Sequence, residues 1–132
     1  MTAYSPGQAA ARTGFSLDTL RYYEKIGLLA PVGRTAGGRR QFTETDVLWL
    51  LLLRCLRETG MPIARMLRFV ELTRAGAHTT ADRVTLLEEH DQRIDQQVAR
   101  LRASQQQIQG KIRYYRGRLE PGREAEQRAR QQ

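Results

Sequence analysis

The stretch GFSLDTLRYYEKIG, residues 14–27, decides the fold. Ser16 suits an N-cap, because its hydroxyl can accept one of the amide protons that a helix start leaves unpaired. Leu17, Leu20 and Tyr23 then recur at three-residue spacing on one face, while Thr19, Arg21 and Tyr22 fall on the other. The spacing predicts a short helix with a buried side and a free side. Upstream, Ser5 and Pro6 open another short helix through Ala9, Ala10 and Ala11, and Gly14 stands where a tight turn must follow. Two short helices, small residues where they cross and a glycine in the turn predict a helix-turn-helix. In that motif the second helix enters the major groove of DNA, which makes Ser16, Thr19, Arg21 and Tyr22 candidate DNA-binding residues. An ordinary amphipathic hairpin inside a small core would show the same pattern.

Charge favours the first reading. The 132 residues carry 22 Lys and Arg against 14 Asp and Glu, a formal net charge of +8, which suits a polyanionic partner. Its placement says more. Between Glu24 and Glu44 there is no acidic residue, so Lys25, Arg34, Arg39 and Arg40 are expected to stand unopposed beside the reading helix. The start, MTAYSPGQ, lacks the basic and apolar pattern of a secretory signal, and the apolar run at residues 47–53 is too short to cross a bilayer. A cytoplasmic location without membrane association is expected, and the single cysteine, Cys55, suits a reducing compartment.

After the reading helix, Leu28, Leu29, Pro31 and Val32 suit a short strand. Residues 34–38 read as a hairpin tip with paired glycines, and Arg39, Arg40, Gln41 and Phe42 return. The result is a wing that would lay Arg34, Arg39 and Arg40 along phosphates flanking the groove. Thr43 with Asp46 predicts a capped helix running to Gly60, mostly core, with Leu48, Leu51, Leu52 and Cys55 among its apolar residues and Trp49 wedged against the wing. Pro62 starts a packing helix with Ile63, Met66, Leu67, Val70 and Leu72 on one face. Residues 75–78 break the pattern and mark a linker.

Residues 80–119 contain no proline. With Val84 at a heptad a position, Leu87, Ile94, Val98, Leu101, Ile108 and Ile112 continue an apolar seam to Tyr115 and Leu119, broken only by Asp91 and Gln105. One long helix cannot bury a narrow stripe alone, so a second copy of the chain is the expected partner. From Asp82 to Asp95 acids outnumber bases, whereas Arg100, Arg102, Lys111, Arg113, Arg116 and Arg118 meet no acid before Glu120. Such halves attract when two copies run antiparallel and repel when parallel. The fold class expected is therefore mainly α. A winged helix-turn-helix domain (residues 1–76) precedes a linker and long dimerisation helix (77–119) in an antiparallel coiled coil, with a disordered tail at 120–132.

The segments TLRYYEKIGLL, residues 19–29, and RTAGGRRQFTETDV, residues 34–47, closely resemble the MerR family of bacterial transcription regulators, across residues 4–119. LLRCLRETGMPI, residues 52–63, and the short chain look most like its thiol-dependent, aldehyde- and electrophile-responsive group, which implies a stress-response role. The resemblance implies a homodimer on an inverted-repeat operator in double-stranded DNA, set in an over-long promoter spacer. In the activated state the DNA would be bent and untwisted so that RNA polymerase meets realigned promoter elements. By position, Arg21 and Tyr22 carry over as reading-helix contacts and Arg40 as the wing arginine. Arg39 and Phe42 stand where the family commonly has tyrosine, and Phe42 cannot donate a hydroxyl to a phosphate.

Cys55 admits two readings: a small apolar core residue, or an electrophile sensor whose thiolate Arg54 and Arg57 would favour if their guanidinium groups reach it. Metal sensing would require several soft ligands, and residues 115–132 contain no cysteine. His78 and His90 suit surface or capping roles better than ligation. No metal or other cofactor is expected. Neither a phosphate-binding glycine loop nor paired carboxylates in an apolar setting suggest an enzyme. The remaining alternatives are a regulator answering another small ligand, a DNA-binding protein without effector, and a coiled-coil adaptor with an incidental basic surface.

Overall fold

The computed structural model describes residues 3–119 and 130. The elements in order are β1 (Ala3–Tyr4), α1 (Pro6–Thr13), α2 (Leu17–Ile26), β2 (Gly33–Arg34), β3 (Arg40–Thr43), α3 (Glu44–Glu58) and α4 (Ile63–Ala75), then a 3-10 turn (Ala77–Thr79) and α5 (Thr80–Leu119). The chain falls into two compact units, Met1–Glu88 and Glu89–Gln132. The tail expected to be disordered, residues 120–132, lies outside the described residues apart from Arg130.

Side-chain caps set the helix starts of the first unit. Ser5 and Gln8 exchange hydrogen bonds in a capping box: the Gln8 amide donates to Ser5 Oγ at 3.2 Å, and the Ser5 amide to Gln8 Oε1 at 2.9 Å. Ser16 Oγ accepts from the Thr19 amide at 3.1 Å and fixes the start of α2. Thr43 and Asp46 form the expected box at the head of α3. Gly14, with φ 76°, ends α1, and its N–H donates to the Ala10 carbonyl at 2.8 Å.

A three-stranded antiparallel sheet, ordered β1-β3-β2, flanks these helices. Tyr4 stands opposite Phe42 and Arg34 opposite Arg40. The strand expected over residues 28–32 is limited to Gly33–Arg34. Leu28 and Leu29 turn into the core instead, and Pro31 lacks the N–H that a ladder needs. At the wing tip the Gly38 amide donates to the Thr35 carbonyl and the Thr35 amide to the Arg39 carbonyl. Only Gly38 takes a positive φ, 80°, so the tip is a turn closed by one left-handed residue rather than by paired glycines.

Leu20, Tyr23, Phe42, Leu50, Leu53 and Met66 anchor one core, which extends to Leu86 in the second turn of α5. Burial in this core raises the Tyr23 hydroxyl above the ordinary tyrosine value. On α3 the buried set is Val47, Leu50, Leu53 and Leu56. The expectation that Leu48 and Cys55 lie inward is therefore corrected: Leu48 is 58% exposed and Cys55 is exposed. Residues 47–53 are all apolar except for the indole N–H of Trp49, so hydrophobicity alone does not choose the inward face. Trp49, expected against the wing, reaches α4 and the segment that follows α2. Its indole stacks on Phe69 of α4, with ring centroids 5.8 Å apart, and Nε1 donates to the Leu28 carbonyl at 2.9 Å.

The break at residues 75–78 is a made corner. Thr79 is buried, and its hydroxyl donates to the carbonyls of Leu72 and Gly76. In the second unit α5 continues to Leu119, and the whole 40-residue helix is about 60 Å long at 1.5 Å per residue. Val98, Leu101, Ile108 and Ile112 are exposed along it and Ile94 is half-buried, while in the first unit Leu87 packs against the core. His90, expected at the surface or in a cap, is buried.

Candidate nucleic-acid interface

The periodicity of α2 puts Leu20 and Tyr23 into the core and leaves Asp18, Arg21, Tyr22 and Lys25 on its exposed stripe. Thr19 is half-buried. Its hydroxyl lies 2.9 Å from that of Ser16, so the two polar groups first serve the helix start. Tyr22 is 50% exposed, its ring centroid 6.2 Å from that of Tyr23. Arg21 lies 3.7 Å from Asp18, both largely in solvent.

Arg21 and the three wing arginines meet at one place. Arg21, Arg34, Arg39 and Arg40 line a cavity of about 240 Å³ whose floor includes Leu20 and Phe42. Arg34 Nη1 donates across the hairpin tip to the Gly38 carbonyl at 2.9 Å, which stiffens the tip. Arg39 is exposed.

Arg40 departs from expectation. It is not unopposed: Nη2 donates to Glu24 Oε1 at 3.2 Å, and the two side chains are only 26% and 18% exposed. The other Glu24 oxygen accepts from the Val32 amide at 3.2 Å. Glu24 therefore joins α2 to β3 and to the segment leading into β2, and it pairs with a residue sixteen positions away that no local spacing could indicate. A second cluster lies where β1, α1 and α3 meet. Tyr4 donates to Glu44 at 2.5 Å and accepts from Arg12 at 2.8 Å. The bond to Glu44 raises the Tyr4 hydroxyl above the ordinary tyrosine value.

Arg54 braces the helix-turn-helix turn. Its Nη1 donates to the Thr13 carbonyl at 2.8 Å, and Nε donates to Glu58 at 2.8 Å. A Cβ on Gly14 would come 2.4 Å from Arg54 Nη1, so the turn is close-packed as well as left-handed. Arg57 Nη1 reaches the Met61 carbonyl at 3.4 Å. The two arginines expected to act on the Cys55 thiol thus have backbone and carboxylate partners of their own. Among the described residues no group of three or more His, Cys, Asp or Glu could hold a metal ion, and no helix is long and apolar enough to cross a membrane.

These features define a winged helix-turn-helix domain followed by a long helix. Residues 4–71 match the MerR HTH regulatory protein family, and residues 47–111 match the MerR DNA-binding family. An HTH-type transcriptional regulator of Haemophilus influenzae is 39% identical over 112 residues, covering 85% of this chain and 83% of the relative. Among solved structures, HiNmlR, a MerR family regulator lacking the sensor domain and bound to promoter DNA, superposes with TM-score 0.85 at 37% identity over 92% of each chain. A MerR family regulator from Listeria monocytogenes gives 0.84 at 30% identity over 96% of each. The chain belongs to the MerR family, and it is a DNA-binding transcriptional regulator.

Proposed function

We propose that the protein binds an inverted-repeat promoter operator as a homodimer, with one α2 and one wing from each copy on the DNA. The observation that carries this is the convergence of Arg21 with Arg34, Arg39 and Arg40 at one groove, which matches a helix in the major groove flanked by phosphate contacts. Residues 1–76 serve as the DNA-binding domain and residues 77–119 as the dimerisation segment. Exposure of Val98, Leu101, Ile108 and Ile112 along α5 supports an antiparallel coiled coil between copies, joined by Leu87 and Ile94 on the same seam. Promoter DNA in the HiNmlR complex supports the same kind of target.

Activation would come from bending and untwisting an over-long spacer for RNA polymerase in the cytoplasm. Smooth bending of a site of this size costs about 1–6 kcal/mol, which contacts from two helices and two wings can offset. Cys55 is the sensor of an aldehyde or other electrophile in this reading, supported by the exposure of its thiol. It follows Arg54, whose guanidinium braces the Gly14 turn, so adduct formation next to that brace has a route to the reading helix. Transcription from the promoter upstream of this gene, with wild type and Cys55→Ser, each with and without a small aldehyde, tests the sensor. Stimulation by aldehyde with wild type alone supports it. An equal response from both proteins removes Cys55 and favours another small ligand, and no response from either favours a regulator without an electrophile effector.

A further inference from the structure

Asp18 is out of keeping with its surroundings. It sits in the first turn of α2, two residues after the cap, and its side chain is 95% exposed. The stripe it shares with Arg21, Tyr22 and Lys25 is the one that faces the groove if α2 is the reading helix, so the carboxylate would approach a polyanion. Against phosphate alone, a carboxylate there weakens binding. Its contact with Arg21, an ion pair at 3.7 Å between two well-exposed groups, is weak, and the helix dipole favours an acid in the first turn whatever that turn faces. Base edges give the exposed carboxylate a use. In the major groove the cytosine N4 amino group is a donor, and Asp and Glu are the side chains that accept from it, while arginine pairs with the O6 and N7 acceptors of guanine. Residues in the first turn of a reading helix are the ones that reach base edges.

We propose that Asp18 is a specificity-determining residue that accepts from the N4 amino group of a cytosine in each operator half-site, while Arg21, one turn further on, takes a neighbouring guanine. The inference rests on α2 being the reading helix. The pair also acts against wrong sites, because a carboxylate that faces guanine or thymine instead of cytosine meets only acceptors and phosphates. Asp18 therefore lowers affinity for non-specific DNA and raises the ratio between specific and non-specific binding.

The test uses the full chain. A pool of randomised duplexes selects the wild-type site, and binding is then measured on duplexes carrying every single base change, for wild type, Asp18→Asn, Asp18→Glu and Arg21→Ala. One C·G pair per half-site should be preferred about tenfold by wild type and not by Asp18→Asn. Asp18→Asn should also bind non-specific duplex several-fold more tightly. Asp18→Glu keeps the acid at the helix start and so controls for folding, yet its longer reach should blunt the same preference. Unchanged base preferences in Asp18→Asn overturn the proposal. If Arg21→Ala alters selectivity and Asp18→Asn does not, Asp18 alone is wrong. If neither does, α2 is not the reader.

Discussion

Glu24 holds Arg40 at 3.2 Å, which ties the last full turn of α2 to the return strand of the wing. The same carboxylate accepts from the Val32 amide on the outgoing side, which leaves the wing little freedom to swing away from α2. In the proposed complex, an operator contact from Arg39 or Arg34 would thereby stand at a set distance from one made by Arg21.

Removing that carboxylate leaves a half-buried guanidinium without its acid. Glu24→Ala is expected to cost about 1–3 kcal/mol in urea unfolding, and Glu24→Ala with Arg40→Ala less than the sum of the two single changes. Equal additivity would mean the pair contributes nothing. Affinity for operator DNA should fall in Glu24→Ala even though the change removes a negative charge, because the wing loses its tie to α2.

Two of the left-handed glycines, Gly14 and Gly38, differ in their surroundings. Gly38 has open space where a Cβ would go, whereas Gly14 has the Arg54 guanidinium at 2.4 Å. Gly38→Ala should lose only the backbone preference, about 1 kcal/mol, while Gly14→Ala should lose about 1 kcal/mol more as Arg54 is pushed off the Thr13 carbonyl. Thermal unfolding of the two variants side by side gives the comparison, and equal losses would show that Arg54 swings aside freely.

Leu101 lies midway between Val84 and Leu119 on the apolar seam of α5 and is 70% exposed on one chain. In an antiparallel pair it faces its own copy across the two-fold axis, whereas Leu119 lies far from its mate. In a Cys55→Ser background, Leu101→Cys should oxidise to a covalent dimer and Leu119→Cys should not, as read on a non-reducing gel. Parallel helices would crosslink both. Leu101→Lys should give monomers in sedimentation velocity, because two like charges would meet at the axis.

Much of this was legible in the residues. The starts of α2 and α3 follow from Ser16 and from the Thr43 and Asp46 box, and the bounds of α5 follow from a proline-free heptad seam. These signals are local, so a short window contains them. What stayed hidden depends on partners far along the chain. The inward face of α3 was unreadable because nearly every residue from 47 to 53 is apolar, and only packing against α1 and α4 turns Leu48 and Cys55 outward. Strand β1 is two residues long, and its pairing with β3 has no sequence signature. The tie between Glu24 and Arg40 spans the whole wing, so a count of unopposed charge between Glu24 and Glu44 overstated the free cations by one.

The most direct measurement is the affinity of wild type and Arg21→Ala for the selected operator and for an unrelated duplex of equal length, across a series of salt concentrations, with the dimer monitored by sedimentation. If α2 and the wing form the DNA-reading surface, Arg21→Ala stays dimeric and its preference for the operator falls about tenfold or more. Both proteins should keep a steep salt dependence from the wing arginines and Lys25. An unchanged preference in Arg21→Ala, or a shallow salt slope for wild type, would contradict it.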